Sequence, residues 1–377
     1  MSKIYLPHSE QFDLMNENLA KIANALASDI DLSTWAGIQK AVRVGVAPDL
    51  IPVGTQLEVS HSVYGTRMYD VVAHNYFKSA HDKNAHTMTL MSHDILGMVQ
   101  FDAPEAFYYA DAELPAGTYN FTLSTAYSSW AAGTYQFTLT QALPSGGQLC
   151  ISGNAEAAIT GRQVRSYASR TTTEVRESSA ITFGNSGTSL GTFGAELNHP
   201  QRISYGSNNY KESAIRQFLN SPSEAGSIWT PQTKFDRPPS WMTSLAGFVS
   251  GFEDDFLSVI GEVVVPCATA DTYESPDSTT VKGKKYTVTD KFYLVSQNEI
   301  FGTATNTIED DSILFPYYEG TTNADHIKYK DGSAESWWMR SANSVSASNV
   351  RIVHSDGSLN GNRVSPAYGF VPSCTIV

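Results

Sequence analysis

The sequence predicts an α+β fold, helical at its start and built of antiparallel strands through most of the rest. Three observations predict it. Apolar residues recur at steps of three and four from Phe12 to Leu26. A phrase occurs twice, at 116–123 and 132–139, each time as a Gly turn followed by alternating apolar and polar residues. From Trp337 to Ile376 an apolar skeleton alternates with Asn, Ser, Gly and Tyr.

The length, 377 residues, allows two or three domains and a large core without disulfides. With 38 acidic and 25 basic residues the formal charge is −13, which opposes general nucleic-acid binding and gives no support for docking on anionic lipid. No apolar run is long enough to insert in a membrane. The N-terminus has no apolar signal core, so any route out of a cell is expected to be assembly or lysis. The three cysteines, Cys150, Cys267 and Cys374, are far apart and read as unpaired or buried thiols rather than a redox or zinc pair.

Taken in order, Phe12, Met15, Leu19, Ile22 and Leu26 form the seam of a short coiled coil, with Asn16, Glu17, Lys21 and Asn24 outside it. The seam joins copies of the chain, with a homotrimer expected, or packs on its own chain. Residues 1–45 are therefore expected to be a helical oligomerisation or attachment segment. A second helix is predicted over 29–46, capped by Asp31 or Ser33 and ended by Pro48. Strands are predicted over 51–59, 68–74 and 86–90. Five histidines fall here: His61, His74, His81, His86 and His93. Their spacing matches no zinc pattern, so individual hydrogen bonding is expected and no metal.

From about 100 to 199 a β-rich insertion is predicted, its repeated phrase forming a hairpin or two strands of a small sandwich. Residues 162–194 read as weak strands and loops. Residues 208–220 then read as a capped helix with Ala214, Ile215, Phe218 and Leu219 inward, and 241–252 as a second helical patch. Strands are predicted over 262–266, 285–289, 291–295, 349–353 and 371–376, with a turn at Ser355–Ser358. Two acidic runs, Glu253–Asp255 and Glu309–Asp311, read as solvated loops or helix starts.

These segments carry a resemblance: the helix Lys211–Asn220, then Phe292–Gly302, Trp337–Ala342, Ser355–Asn360 and Gly369–Pro372, in that order. The early stretches Trp35–Gln39 and Pro52–Gly54 join them. In this order they resemble C-type-lectin-fold proteins of phages and prophages, and among those the variable proteins of diversity-generating retroelements. The resemblance implies a C-type lectin fold over 46–377, interrupted by the insertion, with the ligand-binding variable segment at 337–377. It implies a skeleton of Trp338, Arg340, Val350, Val353, Gly357, Leu359, Gly369 and Pro372. The ligand face it implies is Asn343, Ser344, Ser346, Ser348, Arg351, His354, Asn360, Asn362, Arg363, Ser365, Ala367 and Tyr368, with side chains pointing outward. Val345 and Ile352 depart from the pattern, and the calcium-site pattern of animal lectins is absent.

The function implied is that of a virion protein, made in a bacterial cytoplasm, that binds a bacterial surface protein or glycan receptor and contacts other virion proteins. No cofactor and no enzymatic activity are expected. Related enzymes of this fold need paired cysteines or a histidine-rich metal centre, and a glycan-acting enzyme needs two placed carboxylates. A structural virion decoration without ligand binding is the alternative.

Overall fold

The computed structural model describes residues 30–152, 158–170, 174–193, 199–270, 283–308, 310–344 and 346–377. The heptad seam from Phe12 to Leu26 lies outside the described residues, as does Val345. The first helix, α1 (Trp35–Arg43), is capped by Thr34, whose hydroxyl accepts from Gly37 N at 3.1 Å. Asp31 and Ser33, the two expected caps, bond each other instead, Asp31 accepting from Ser33 N and Oγ. Pro48 does not simply stop the helix. It opens a second one, α2 (Ala47–Leu50), because the first turn needs no N–H from it. Then come β1 (Gln56–His61), β2 (Gly65–His74), β3 (Met88–Ser92) and β4 (Gly97–Gln100).

The insertion comprises β5 (Tyr108–Tyr109), β6 (Gly117–Leu123), β7 (Gly133–Leu139), β8 (Gln148–Ile151), β9 (Gln163–Tyr167), β10 (Glu174–Ala180), β11 (Thr182–Phe183) and β12 (Thr188–Phe193). They form two four-stranded sheets, β10-β9-β8-β5 and β11-β7-β6-β12. The repeated phrase pairs with itself antiparallel, Gly117 opposite Leu139 and Phe121 opposite Tyr135. Even the tyrosine hydroxyls repeat: Tyr119 donates to Pro115 O and Tyr135 to Ala131 O, both at 2.6 Å. Phe107, Phe121, Trp130, Phe137, Leu149 and Phe193 give this region an apolar core of its own.

The chain continues through α3 (Pro200–Tyr205), α4 (Ala214–Leu219), α5 (Asp254–Val259), β13 (Val263–Ala270), β14 (Gly283–Asp290), β15 (Phe292–Tyr293) and α6 (Gln297–Phe301). It ends in β16 (Lys328–Lys330), β17 (Ser333–Glu335), β18 (Trp337–Ala342), β19 (Asn349–Val353), β20 (Leu359–Arg363), β21 (Ala367–Phe370) and β22 (Ser373–Ile376). The helix predicted over 208–220 forms only from Ala214, where Ser213 Oγ accepts from Arg216 N. The patch at 241–252 forms two short 3-10 turns, Ser240–Thr243 and Phe248–Gly251, rather than one helix. Gly247 between them packs against Ser221, leaving no room for a side chain.

The result is a mixed α+β fold with several helices and multiple antiparallel sheets. Among the described residues no sheet closes on itself. Two five-stranded sheets, β1-β2-β3-β22-β15 and β20-β19-β18-β21-β4, share the main core, which runs from Ile38 and Val42 of α1 to Ile376. Trp35 meets Phe256 of α5 edge-on at 4.8 Å, so α1 packs within that core. The closing segment is built into both sheets: β18 to β21 lie in the second, and β22 runs between β3 and β15 in the first.

Candidate ligand-binding face

Trp337, Trp338, Val350, Ile352, Val353 and Phe370 are buried and fix the backbone of the closing segment. The indole of Trp338 donates to Val99 O at 2.8 Å, and that of Trp337 to His326 O at 3.2 Å. Beneath them Arg340 makes a two-pronged pair with Glu299, each bond 2.6 Å, and donates to the carbonyls of Leu294 and Pro266. Burial pushes the Glu299 carboxyl up while Arg340 pulls against that shift. Asp310 joins at 3.6 Å. The acidic run around it was expected to be solvated, but Asp310 is buried, drawn in by Arg340 and by the Ser312 hydroxyl.

The expected ligand residues divide into three sets. Asn360 and Ala367 are exposed, and His354, Asn362, Arg363, Ser365 and Tyr368 are half-buried. Asn362 donates to the Tyr368 hydroxyl at 2.5 Å, and the Tyr368 ring stands edge-on to Trp338 at 4.9 Å. The Arg363 guanidinium lies 4.3 Å over the Tyr205 ring. His354 pairs with Asp356 at 3.2 Å in the turn between β19 and β20. The Ser365 carbonyl accepts from the Gln100 amide.

A second set is tied down from the side. Ser346 and Ser348 both donate to Gln201 Oε1, at 2.6 and 3.2 Å. Asn208 donates to the carbonyls of Ser346, Asn349 and Asn343, which fixes the loop between β18 and β19. Ser344 is half-buried, its N–H on Asn306 O. Tyr127, from the insertion, stands beside His199 and Tyr205 near this wall. Burial, with Arg202 nearby, pushes the His199 imidazole down to about 3, so it is neutral.

The third set corrects the expectation that all the polar positions point outward. Asn343 and Arg351 are buried, as is Ser348 of the second set. Arg351 lies on the side of β19 that faces α6, and its Nε donates to Gln297 Oε1 at 2.8 Å. Gln201, Asn208, Tyr205, Tyr127 and Gln297 were not singled out from the sequence. They reach the face from distant segments, and their spacing carries no signal for it.

The five histidines take separate partners: Phe248 O, Ile51 O, Glu262, Asn75 and Asp70 for His61, His74, His81, His86 and His93. Among the described residues no group of His, Cys, Asp and Glu could hold a metal ion. None of the three cysteines is in a disulfide, and burial pushes Cys267 up to about 12 and Cys374 further. Neither buried thiol is a thiolate at neutral pH.

A family model described as "Domain of unknown function (DUF6273)" matches residues 169–377, more than half of the chain and all of the closing segment. No curated protein and no solved structure matches the chain.

Proposed function

The chain belongs to the DUF6273 family, and we propose that it is a receptor-binding protein of a phage virion, presenting its closing segment to a protein or glycan on a bacterial surface. The observation that carries this reading is the division of labour in 337–377. Asn360, Asn362, Arg363, Ala367 and Tyr368 reach solvent, while Trp337, Trp338, Val350, Ile352 and Val353 are sealed beneath them. The side chains at Asn360, Asn362, Arg363 and Ala367 are therefore free to differ without disturbing the core. Uncharged polar residues beside a stiff aromatic are the chemistry of an adaptable paratope. The C-type lectin fold and the kinship with diversified variable proteins belong to the same proposal. Support for them comes from the stitching of the closing segment into both five-stranded sheets, which holds its ends while its edge strand β20 stays open.

Assembly as a homotrimer, through the seam from Phe12 to Leu26, would multiply weak single-site contacts on a particle. Deep sequencing of the 3′ end of the gene in a growing population tests the diversified form of the proposal. Substitutions concentrated at Asn360, Asn362, Arg363, Ser365, Ala367 and Tyr368, with the buried skeleton unchanged, are expected. A flat profile removes diversification and leaves an attachment or decoration protein of fixed sequence.

A further inference from the structure

Asn360 and Gly361 form the one Asn-Gly pair of the chain, and both lie in β20, an edge strand of the closing segment's sheet. Asn360 is exposed. In an antiparallel pair, backbone groups point alternately toward the partner strand and away from it. His354 N donates to Ser358 O at 2.8 Å, and Val364 N donates to Ser348 O at 2.9 Å. In the register of β20 with β19, these two bonds make the even-numbered residues the ones that face β19. The N–H of Gly361 therefore points out from the sheet edge. It meets the side chain just before it: Gly361 N donates to Asn360 Oδ1 at 2.8 Å.

That bond holds a backbone nitrogen beside a carboxamide whose carbon, Cγ, is one bond beyond Oδ1. In a strand paired on both sides, the ladder would draw such a nitrogen away from the side chain. Glycine also lacks a Cβ, so nothing on residue 361 hinders the nitrogen from moving onto Cγ. Two residues further on, the fold supplies its own comparison. Arg363 N donates to Asn362 Oδ1, also at 2.8 Å. There the nitrogen belongs to a residue with a long side chain, and the Asn362 amide is held on the Tyr368 hydroxyl.

We infer that Asn360 is a self-modification site, at which the Gly361 nitrogen closes on Cγ and turns the side-chain amide into a carboxylate without an enzyme. Hydroxide takes the proton of Gly361 N. The nitrogen bonds to Cγ, the Cγ–Nδ2 bond breaks, and Nδ2 leaves as ammonia with a proton from water. Water then opens the cyclic imide at one of its two carbonyls. One opening gives aspartate on the original backbone, and the other gives isoaspartate, whose backbone runs through the former side chain. Nothing is oxidised or reduced. Asp356 is the one acid of residues 337–377, so conversion gives this segment a second. On the binding-face reading, a neutral displayed position becomes anionic as the protein ages.

The test incubates the full chain at mildly alkaline pH and follows its peptides by mass spectrometry. A synthetic peptide spanning residues 358–365 serves as the unfolded reference. The peptide carrying Asn360 is expected to gain one mass unit with time, as a mixture of aspartate and isoaspartate, and faster as pH rises. Conversion at Asn360 should run at least about tenfold faster than at Asn362. Asn360→Gln, which must close a larger ring, should abolish the gain over the same period. Asn360 left intact in the folded chain while the synthetic peptide converts overturns the inference, as does equal conversion at Asn362. The mass gain is read without any ligand. A chain that converts at Asn360 yet binds no bacterium would therefore contradict the binding face and leave the modification standing.

Discussion

Arg340 and Arg351 are both buried in neighbouring strands, and what meets each of them decides what it does. Arg340 is matched on every side, so removing its partner strands a charge. Glu299→Ala is expected to cost about 3–5 kcal/mol in urea unfolding, whereas replacing both residues by apolar ones of similar volume should cost far less. The sequence marked Arg340 as part of the skeleton but gave no sign of Glu299 or Asp310 as its partners. A run of carboxylates carries no record of a cation thirty residues away. The same blindness applied to Arg351. Its Ser and Asn neighbours made it look like one more displayed position, while Gln297, which turns it inward, lies in a different element. Ile352, which departed from the polar pattern, is buried against the core. The departure was a correct sign of an inward-facing position.

Among the elements, the hairpin β6–β7 was legible because its two strands repeat one phrase and each begins with a glycine turn. Helix α6 was not singled out, although Ser296 and Glu299 spell a capping box. Ser296 Oγ accepts from Glu299 N, and Glu299 accepts from Ser296 N at 2.7 Å. The helix is only one turn long, too short for an apolar period to register. Ser296→Ala is expected to cost about 1–2 kcal/mol, since the hydroxyl also bonds Ser312 at 2.6 Å. Chemical denaturation of the variant measures it. Helix α4 came out shorter than its apolar spacing predicted because Asn208 and Asn209 are engaged elsewhere: Asn208 holds the β18–β19 loop, and Asn209 accepts from the Tyr286 hydroxyl at 2.6 Å. Tertiary bonds of this kind override local helix preference.

For the whole molecule, the joint between the two cores is where acids are buried. Asp102 and Glu105 lie just beyond β4; Asp102 accepts from Ser207 N at 2.9 Å, and Arg202 of α3 grips Glu105 at 2.7 Å and Glu212 at 3.2 Å. Burial, reinforced by the neighbouring carboxylates, pushes Asp102 well up. It pushes Glu105 up to about 7 against the pull of Arg202. Folded-state values above the unfolded ones mean that the folded chain holds protons more tightly. This contribution to stability is complete below the unfolded carboxyl range and is lost as pH rises through the folded values. Burial holds the His199 imidazole low, which acts in the opposite direction over the same range, so the acids are read by difference. Against Asp102→Asn, which keeps an acceptor for Ser207 N, the unmodified chain is expected to show a larger melting-temperature advantage in calorimetry at about pH 5.5 than at about pH 7.5. The cluster at this joint was not legible in the sequence, because Asp102, Glu105, Arg202 and Glu212 come from separate segments and meet only in the fold.

Binding of the labelled full chain to intact bacteria, across a panel of strains, tests the displayed face most directly. The face variant combines Asn360→Ala, Asn362→Ala and Ala367→Glu, all on β20 or β21. The control is Glu58→Ala, exposed on β1 in the other five-stranded sheet. Saturable binding to at least one strain is expected, weakened by at least about tenfold in the face variant and unchanged in the control. Saturable binding that the face variant retains at full strength would contradict a receptor-binding role for the closing segment.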